Sequence, residues 1–454
     1  MVFVRPDSSM VEERDVVIIG AGMAGLACAQ RLQEAGIDFL VLEAADRIGG
    51  RVQTNYTLGG GRPFEIGALM IHGKRVITHS WLREFGMHAR PLPTVRRARF
   101  WWNGRVERLP LPGNLLHRTI GIRAFYQGAF TLPKRLIAYD GPDLSLAEWL
   151  ERQTALPGAK LLVNLLYAHA SAADVDALGV RGPAEESALA DEEFGYTNFQ
   201  VVEGYDALVS RRAAPLLDRI RLKTRVTAIR SSGRGARIEL MDGQGQEGEV
   251  RAKHVVVTLP LGVLQSDAVT FDPPLPERKR AAIRAIAFGD AMIILLRLRN
   301  SDLARRLGDF GLLWGEGPTS FHRPYVATRD PPDILDGFLV GREARRRAAL
   351  PDREVLELTM EDLRAIVPPS VHPGEIEAFT CSRWPVHPFT RGGYSFLPPG
   401  GTVQHRRDLA APVDGVLFFA GEATHTHGEP ATIHGAIETG YRAAAEVTQS
   451  LRAG

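Results

Sequence analysis

The sequence predicts an α/β fold in which a Rossmann-like nucleotide-binding domain is interleaved with an α+β domain. Three observations predict it. An apolar run at 15–19 enters a glycine-rich turn and then a helical pattern. A second apolar run at 38–42 ends on an acid. Near the C-terminus another apolar run meets a glycine turn and a helical stretch. At 454 residues the chain exceeds one ordinary domain and has ample length for a large core.

Taken in order, 15–19 reads as a buried strand, 24–35 as a helix closed by Gly36, and 38–42 as a second strand. The turn Gly20-Ala-Gly22-Met-Ala24-Gly25 has the G-x-G-x-x-G spacing. Gly20 permits the tight turn, Gly22 lets backbone approach a pyrophosphate, and Gly25 lets helix pack on strand, with Ala24 in the first helical turn. The helix N-terminus favours the negative charge. Glu43, followed by Ala44, lies 18 residues past Gly25, placed to accept from ribose hydroxyls. A second glycine pair, Arg47-Ile-Gly49-Gly50-Arg51, adds a close backbone approach flanked by two guanidinium groups. That addition suits the pyrophosphate of FAD better than a plain NAD site.

This combination resembles the flavin-containing amine oxidase superfamily: monoamine and polyamine oxidases, L-amino-acid oxidases and desaturase relatives. The resemblance implies FAD, and it extends along the chain. Ile220–Ile229, Arg237–Met241 and Lys253–Thr258 read as strands resembling the family's central return to its FAD domain, where a backbone amide on the adenine side carries over onto Val226. The Thr-x-Pro-x-Gly-Val-Leu run at 258–264 supports the match. Val416–Ala420, then Gly421-Glu422 and Pro430-Ala-Thr432-Ile433-His434-Gly435-Ala436, resemble the closing motif that contacts FAD. There Thr432 and Ile433 present amides, with Ala436 beside them, and Tyr441–Leu451 reads as the final helix. A helix N-terminus stabilises the anion of reduced flavin. His434 reads either as part of this site or as a satisfied helix histidine.

The segment Glu65-Ile-Gly67-Ala68-Leu69-Met70-Ile-His72-Gly73 resembles the loop that passes the flavin ring, and its His-Gly ending looks most like polyamine oxidases. His72 is a candidate for binding a substrate ammonium through water or carrying a proton; a structural loop histidine is the alternative. Trp384 through Ser395 resembles the segment whose aromatics face the flavin, which makes Trp384 and Tyr394 the candidate aromatic wall. The residue before Tyr394 is Gly393, where monoamine oxidases carry a flavin-linking cysteine, so noncovalent FAD is expected.

Two departures stand out. The family's usual lysine after a Phe-Gly pair aligns with Ile293, which puts efficient oxygen use in question. His425-Thr-His427-Gly-Glu429 stands where many relatives offer a second cage aromatic, so either the cage is open or a polar group meets the substrate there. Glu429 reads equally as a solvated loop acid. The histidines there lack a recognised ligand spacing, and no metal is expected.

The domains are expected as 12–75, 201–265 and 405–454 for FAD, and 76–200 with 266–404 for substrate. Helices are expected at 145–155, 158–170, 277–286 and 353–366, and a strand at 291–298. The acidic run from Glu185-Glu186 through Asp191-Glu192-Glu193 reads as a solvated face or a cavity mouth that draws in cations.

Fifty-five basic and 53 acidic side chains give no net-charge argument for nucleic acid or an anionic membrane. Cys28 and Cys381 form no disulfide framework. No signal peptide or membrane span is visible, so a cytoplasmic protein is expected. The expected function is oxidation of a primary or secondary amine, polyamine- or monoamine-like, with oxygen or another electron acceptor as partner. Amino-acid oxidation, which needs an arginine clamp such as Arg96, Arg97 or Arg99, biosynthetic dehydrogenation and a noncatalytic FAD-stabilised module are the alternatives. A homodimer is left open.

Overall fold

A computed structural model describes residues 12–92, 98–102, 105–108, 121–190, 197–299, 312–314, 318–323, 333–366 and 373–453. Strand β1 (Glu12–Ile19), helix α1 (Met23–Glu34) and strand β2 (Phe39–Leu42) form the expected βαβ start. The two strands pair in parallel from Val16 against Phe39 to Ile19 against Leu42. Gly20 has φ +108°, and a Cβ on Gly25 would lie 1.9 Å from the Gly20 carbonyl oxygen. The first glycine is therefore required by conformation and the third by contact.

β1 and β2 lie inside an eight-stranded mixed sheet. β1 runs parallel to Glu247–Val257, a long strand that divides its partners. Its first half pairs antiparallel with Gly235–Asp242, and its last three residues pair in parallel with Leu417–Phe419. The C-terminal segment thereby returns beside the N-terminal one. Alternation along β1 sends Val16 and Ile18 into a core shared with α1 and the C-terminal helix. Val17 and Ile19 enter the core on the opposite face, with Val226, Val255 and Leu417. Both faces are covered, which is why β1 reads as a continuous apolar run.

A second, seven-stranded sheet runs in the order Ile376–Cys381, Ala291–Leu298, Ile334–Val340, Thr319–His322, Leu312–Trp314, Ala98–Trp102, Arg105–Arg108. The expected helices appear as Leu146–Arg152, Pro157–Ser171, Glu277–Ala285 and Asp352–Ile366. No described helix is long and apolar enough to cross a membrane.

Three expectations are corrected. Trp81, Leu82 and Met87 are buried with α1, so 76–91 packs with the nucleotide domain and not the other. Thr270–Asp272 joins the first sheet, and Ala282, Ile286, Leu397 and Val403 sit in its core, so the boundaries at 266 and 405 are displaced. The final helix is Ile433–Ala453 and begins eight residues before Tyr441.

Candidate active site

A cavity of about 800 Å³ begins at the C-terminal ends of β1 and β2 and passes between the two sheets. Of the residues expected to bind cofactor or substrate, all but Gly25 line it. Gly25 serves helix packing instead. Glu43, Ala44 and Val226 lie at one end; Trp384, Tyr394, Ile293 and Phe338 lie at the other. A Cβ on Gly22 would meet nothing nearer than the Gly50 Cα at 3.9 Å, so open space lies beside the turn. An elongated cavity with a bare glycine turn and a buried acid at one end fits FAD.

Glu43 is buried, and its two carboxylate oxygens accept from the amides of Ala21, at 2.7 Å, and Ala45, at 2.9 Å. Burial pushes its carboxyl up against the pull of these amides. Each oxygen keeps a lone pair for a ribose hydroxyl. Val226 is held nearby, because the Thr224 amide donates to the Glu43 carbonyl at 2.8 Å.

The two arginines flanking the second glycine pair shape the cradle from within. Arg47 donates to the carbonyls of Ile48, Val52 and Gly50 at 3.1, 2.9 and 2.5 Å. Arg51 Nη1 donates to Gly393 O at 2.7 Å and Glu422 Oε1 at 2.8 Å. Glu422 Oε2 accepts from the Ser395 hydroxyl at 2.6 Å and the Ala431 amide at 3.0 Å. Burial alone would raise the Glu422 carboxyl, but Arg51 and Ser395 hold it below the usual glutamate value. The loop Gly67–Met70 lies directly against this cradle. A Cβ on Gly67 would fall 2.1 Å from the Arg51 carbonyl, and the Ala68 amide donates to that oxygen at 3.0 Å.

The C-terminal helix opens on the same cavity. The Thr432 hydroxyl accepts from the Gly435 amide at 3.0 Å, an N-cap bond that points the first turn, with Ile433 and Ala436, at the cavity. Its N-terminal end carries partial positive charge.

At the far end the aromatics are fixed by their polar atoms. Trp384 Nε1 donates to Ile66 O at 2.8 Å, and the Tyr394 hydroxyl donates to His169 O. Burial raises the Tyr394 phenol, which stays neutral. Ile293 is buried in Ala291–Leu298 and lines the cavity, its amide donating to Ser382 Oγ at 2.8 Å. His72 lines it too, with Nδ1 2.9 Å from Asn198 Oδ1; burial pushes its imidazole down.

Sequence reasoning missed His169, Trp314 and Phe338, which line the far end. His169 is pushed down to about 4 by burial and is neutral at physiological pH. Its Nδ1 donates to Leu165 O at 2.7 Å and its Nε2 faces the Ser320 hydroxyl at 2.9 Å. No motif marks these residues. Glu185 and Glu186 do not form the solvated face allowed above: Glu185 accepts from the Val403 amide at 3.1 Å, and Glu186 from the buried Arg406. Asp191, Glu192, Glu193, Arg96 and Arg97 lie outside the described residues, and Arg99 is not among the residues lining the cavity. His425 is buried, its Nε2 3.0 Å from Glu438 Oε2. Among the described residues no three His, Cys, Asp or Glu side chains could hold a metal.

A doubly covered nucleotide sheet, a glycine cradle and an aromatic-walled cavity end fit a flavoprotein oxidoreductase. Residues 23–448 match the model of the flavin containing amine oxidoreductase family, and the chain belongs to that family. Lysine-specific histone demethylase 2 of Homo sapiens is 28% identical over 96% of this chain and 53% of its own length. Polyamine oxidase 4 of Oryza sativa subsp. japonica is 27% identical over 96% of this chain and 89% of its own. The chain thus spans about half the length of the first of these relatives. The structure of a redesigned putrescine oxidase superposes with TM-score 0.81 at 22% identity, covering 96% of this chain and 99% of that one. Cyclohexylamine oxidase from Brevibacterium oxydans gives 0.76 at 22%, covering 97% and 99%. At that identity the likeness shows the fold.

Proposed function

We propose that this chain oxidises a primary or secondary amine, the α-C–H hydride leaving as the C=N bond of an iminium (protonated imine) forms, followed by its hydrolysis. FAD, bound noncovalently, supplies the two-electron acceptor, and oxygen or another oxidant regenerates it. The observation that carries this reading is the anchoring of Trp384 and Tyr394. Their polar atoms are taken up by backbone carbonyls, which fixes both rings as part of the cavity wall. Such a wall attracts a cationic or slender amine and excludes water. His169 and His72, both pushed down by burial, add no positive charge to the cavity at neutral pH. The names of two relatives, a polyamine oxidase and a lysine-specific demethylase, both point to C–N oxidation of an amine.

The test is anaerobic mixing of the purified flavoprotein with a panel of mono-, di- and polyamines and N-methylated lysine peptides. Bleaching of the flavin by at least one class supports the reading. Trp384→Ala and Tyr394→Ala should slow bleaching while FAD stays bound. A flavin left oxidised by the whole panel rejects it.

A further inference from the structure

We propose that Glu429 is the group that takes the proton from the substrate ammonium, an inference that rests on the amine reading above. Glu429 lines the cavity two to four residues before the amides of Ala431 and Ile433. Its side chain is 12% exposed, which excludes the solvated loop acid. Three contacts fix it. Its amide donates to His425 Nδ1 at 3.2 Å, its carbonyl accepts from the Thr432 hydroxyl at 2.8 Å, and its Oε2 lies 3.0 Å from Nε2 of the buried His434. Gly428, just before it, packs closely on the backbone at Ala190, where a Cβ would sit 2.3 Å from the Ala190 nitrogen. Oε1 has no partner among the described residues and belongs to a carboxylate that lines the cavity.

The chemistry follows from this placement. An alkylamine arrives as an ammonium, since its pKa lies near that of lysine, about 10.4. The protonated nitrogen has no lone pair to form the C=N bond, so the hydride leaves only from the neutral amine. Where the cavity strips water from an ammonium–carboxylate pair, both partners lose hydration, and transfer of one proton converts the pair to an amine and a carboxylic acid. The N–H bond of the ammonium breaks, the O–H bond of Glu429 forms, and the two opposite charges cancel with the net charge unchanged. Around this carboxylate the described titratable and charged groups are His434 and Glu438 on the C-terminal helix, His425 and His427 on its own loop, and His72 on Ile71–His72. The Glu422–Arg51 pair stands behind Ala431, and Glu186–Arg406 behind Gly428. With this acceptor in the cavity, the chain processes amines that arrive protonated.

The experiment compares the wild type and Glu429→Gln, both as FAD holoenzymes, by anaerobic stopped flow. Two substrates are used at about pH 8.5: an alkylamine that reduces the wild type, and its β,β-difluorinated analogue, whose two fluorines lower the ammonium pKa enough to leave it mostly neutral there. Glutamine keeps the volume but accepts no proton. The variant should reduce roughly 100-fold more slowly with the alkylamine and within about threefold of wild type with the fluorinated amine. Equal slowing with both amines would make Glu429 a positioning residue and overturn the proposal, as would no slowing with either. A wild type reduced by neither amine rejects the amine reading itself, and this inference with it.

Discussion

Arg51 Nη1 lies 2.8 Å from Glu422 Oε1 across 371 positions of sequence. This pair fastens the N-terminal glycine cradle to the C-terminal signature, and the Gly393 carbonyl shares the same nitrogen. Glu422→Gln leaves the guanidinium with an amide in place of a carboxylate. Breaking a buried pair costs about 3–5 kcal/mol; with Arg51 25% exposed, a loss of about 2–3 kcal/mol is expected. Because the folded carboxyl is held below its ordinary value, this contribution is complete above the ordinary glutamate range and is lost as pH falls through the depressed value. Denaturant titrations of both proteins should differ at neutral pH and converge in acid.

Glu65 shows the opposite sign. It is buried, accepts from the Tyr205 amide at 3.0 Å and the Thr54 hydroxyl at 2.7 Å, and is pushed up to about 8, chiefly by burial. Between about pH 4.5 and about pH 8 the unfolded chain holds fewer protons at this site than the folded one, so wild-type stability falls as pH rises. Glu65→Gln carries no charge to bury. Its stability relative to wild type should improve across that window and level off above it, as read by thermal melts at several pH values.

Much of this was legible in sequence because strand periodicity and turn chemistry are local. The turn at Gly20–Gly25 and the acid at Glu43 stand where spacing put them. The start of the final helix was not legible, since Gly435 and Gly440 look like helix breakers. Packing overrides propensity there: a Cβ on Gly440 would lie 2.2 Å from the Ala24 carbonyl, so that glycine lets the C-terminal helix settle on α1. The domain boundary near 76 failed for a similar reason. Trp81 Nε1 donates to the Tyr441 hydroxyl at 2.8 Å, a contact 360 positions away that no local pattern announces. The Arg406–Glu186 pair and the neutral His169 are equally nonlocal.

Acid precipitation should release the flavin into the supernatant. Gly393 carries no thiol, and a Cβ there would already meet the Ala291 Cβ at 3.0 Å. Flavin retained in the washed pellet would show a covalent link elsewhere.

Ile293 bears on the acceptor. Oxygen reacts with reduced flavin through charge that develops as superoxide, and a nearby cation or held water lowers that barrier. Isoleucine offers neither, and it lines the cavity from the strand Ala291–Leu298. Reduced enzyme should reoxidise slowly in air and faster with a quinone or dye. Ile293→Lys should accelerate the oxygen reaction by roughly ten- to hundredfold, measured by mixing prereduced protein with oxygen. Fast reoxidation of the unaltered protein, with no gain from lysine, would return it to an ordinary oxidase.

The most direct measurement follows flavin bleaching with an amine and its α-deuterated form under anaerobic single turnover. If the aromatic wall of Trp384 and Tyr394 holds an amine for α-C–H cleavage, the flavin bleaches and the deuterated amine bleaches it severalfold more slowly. A protein that retains FAD, yet whose flavin stays oxidised with every amine offered, would contradict the account.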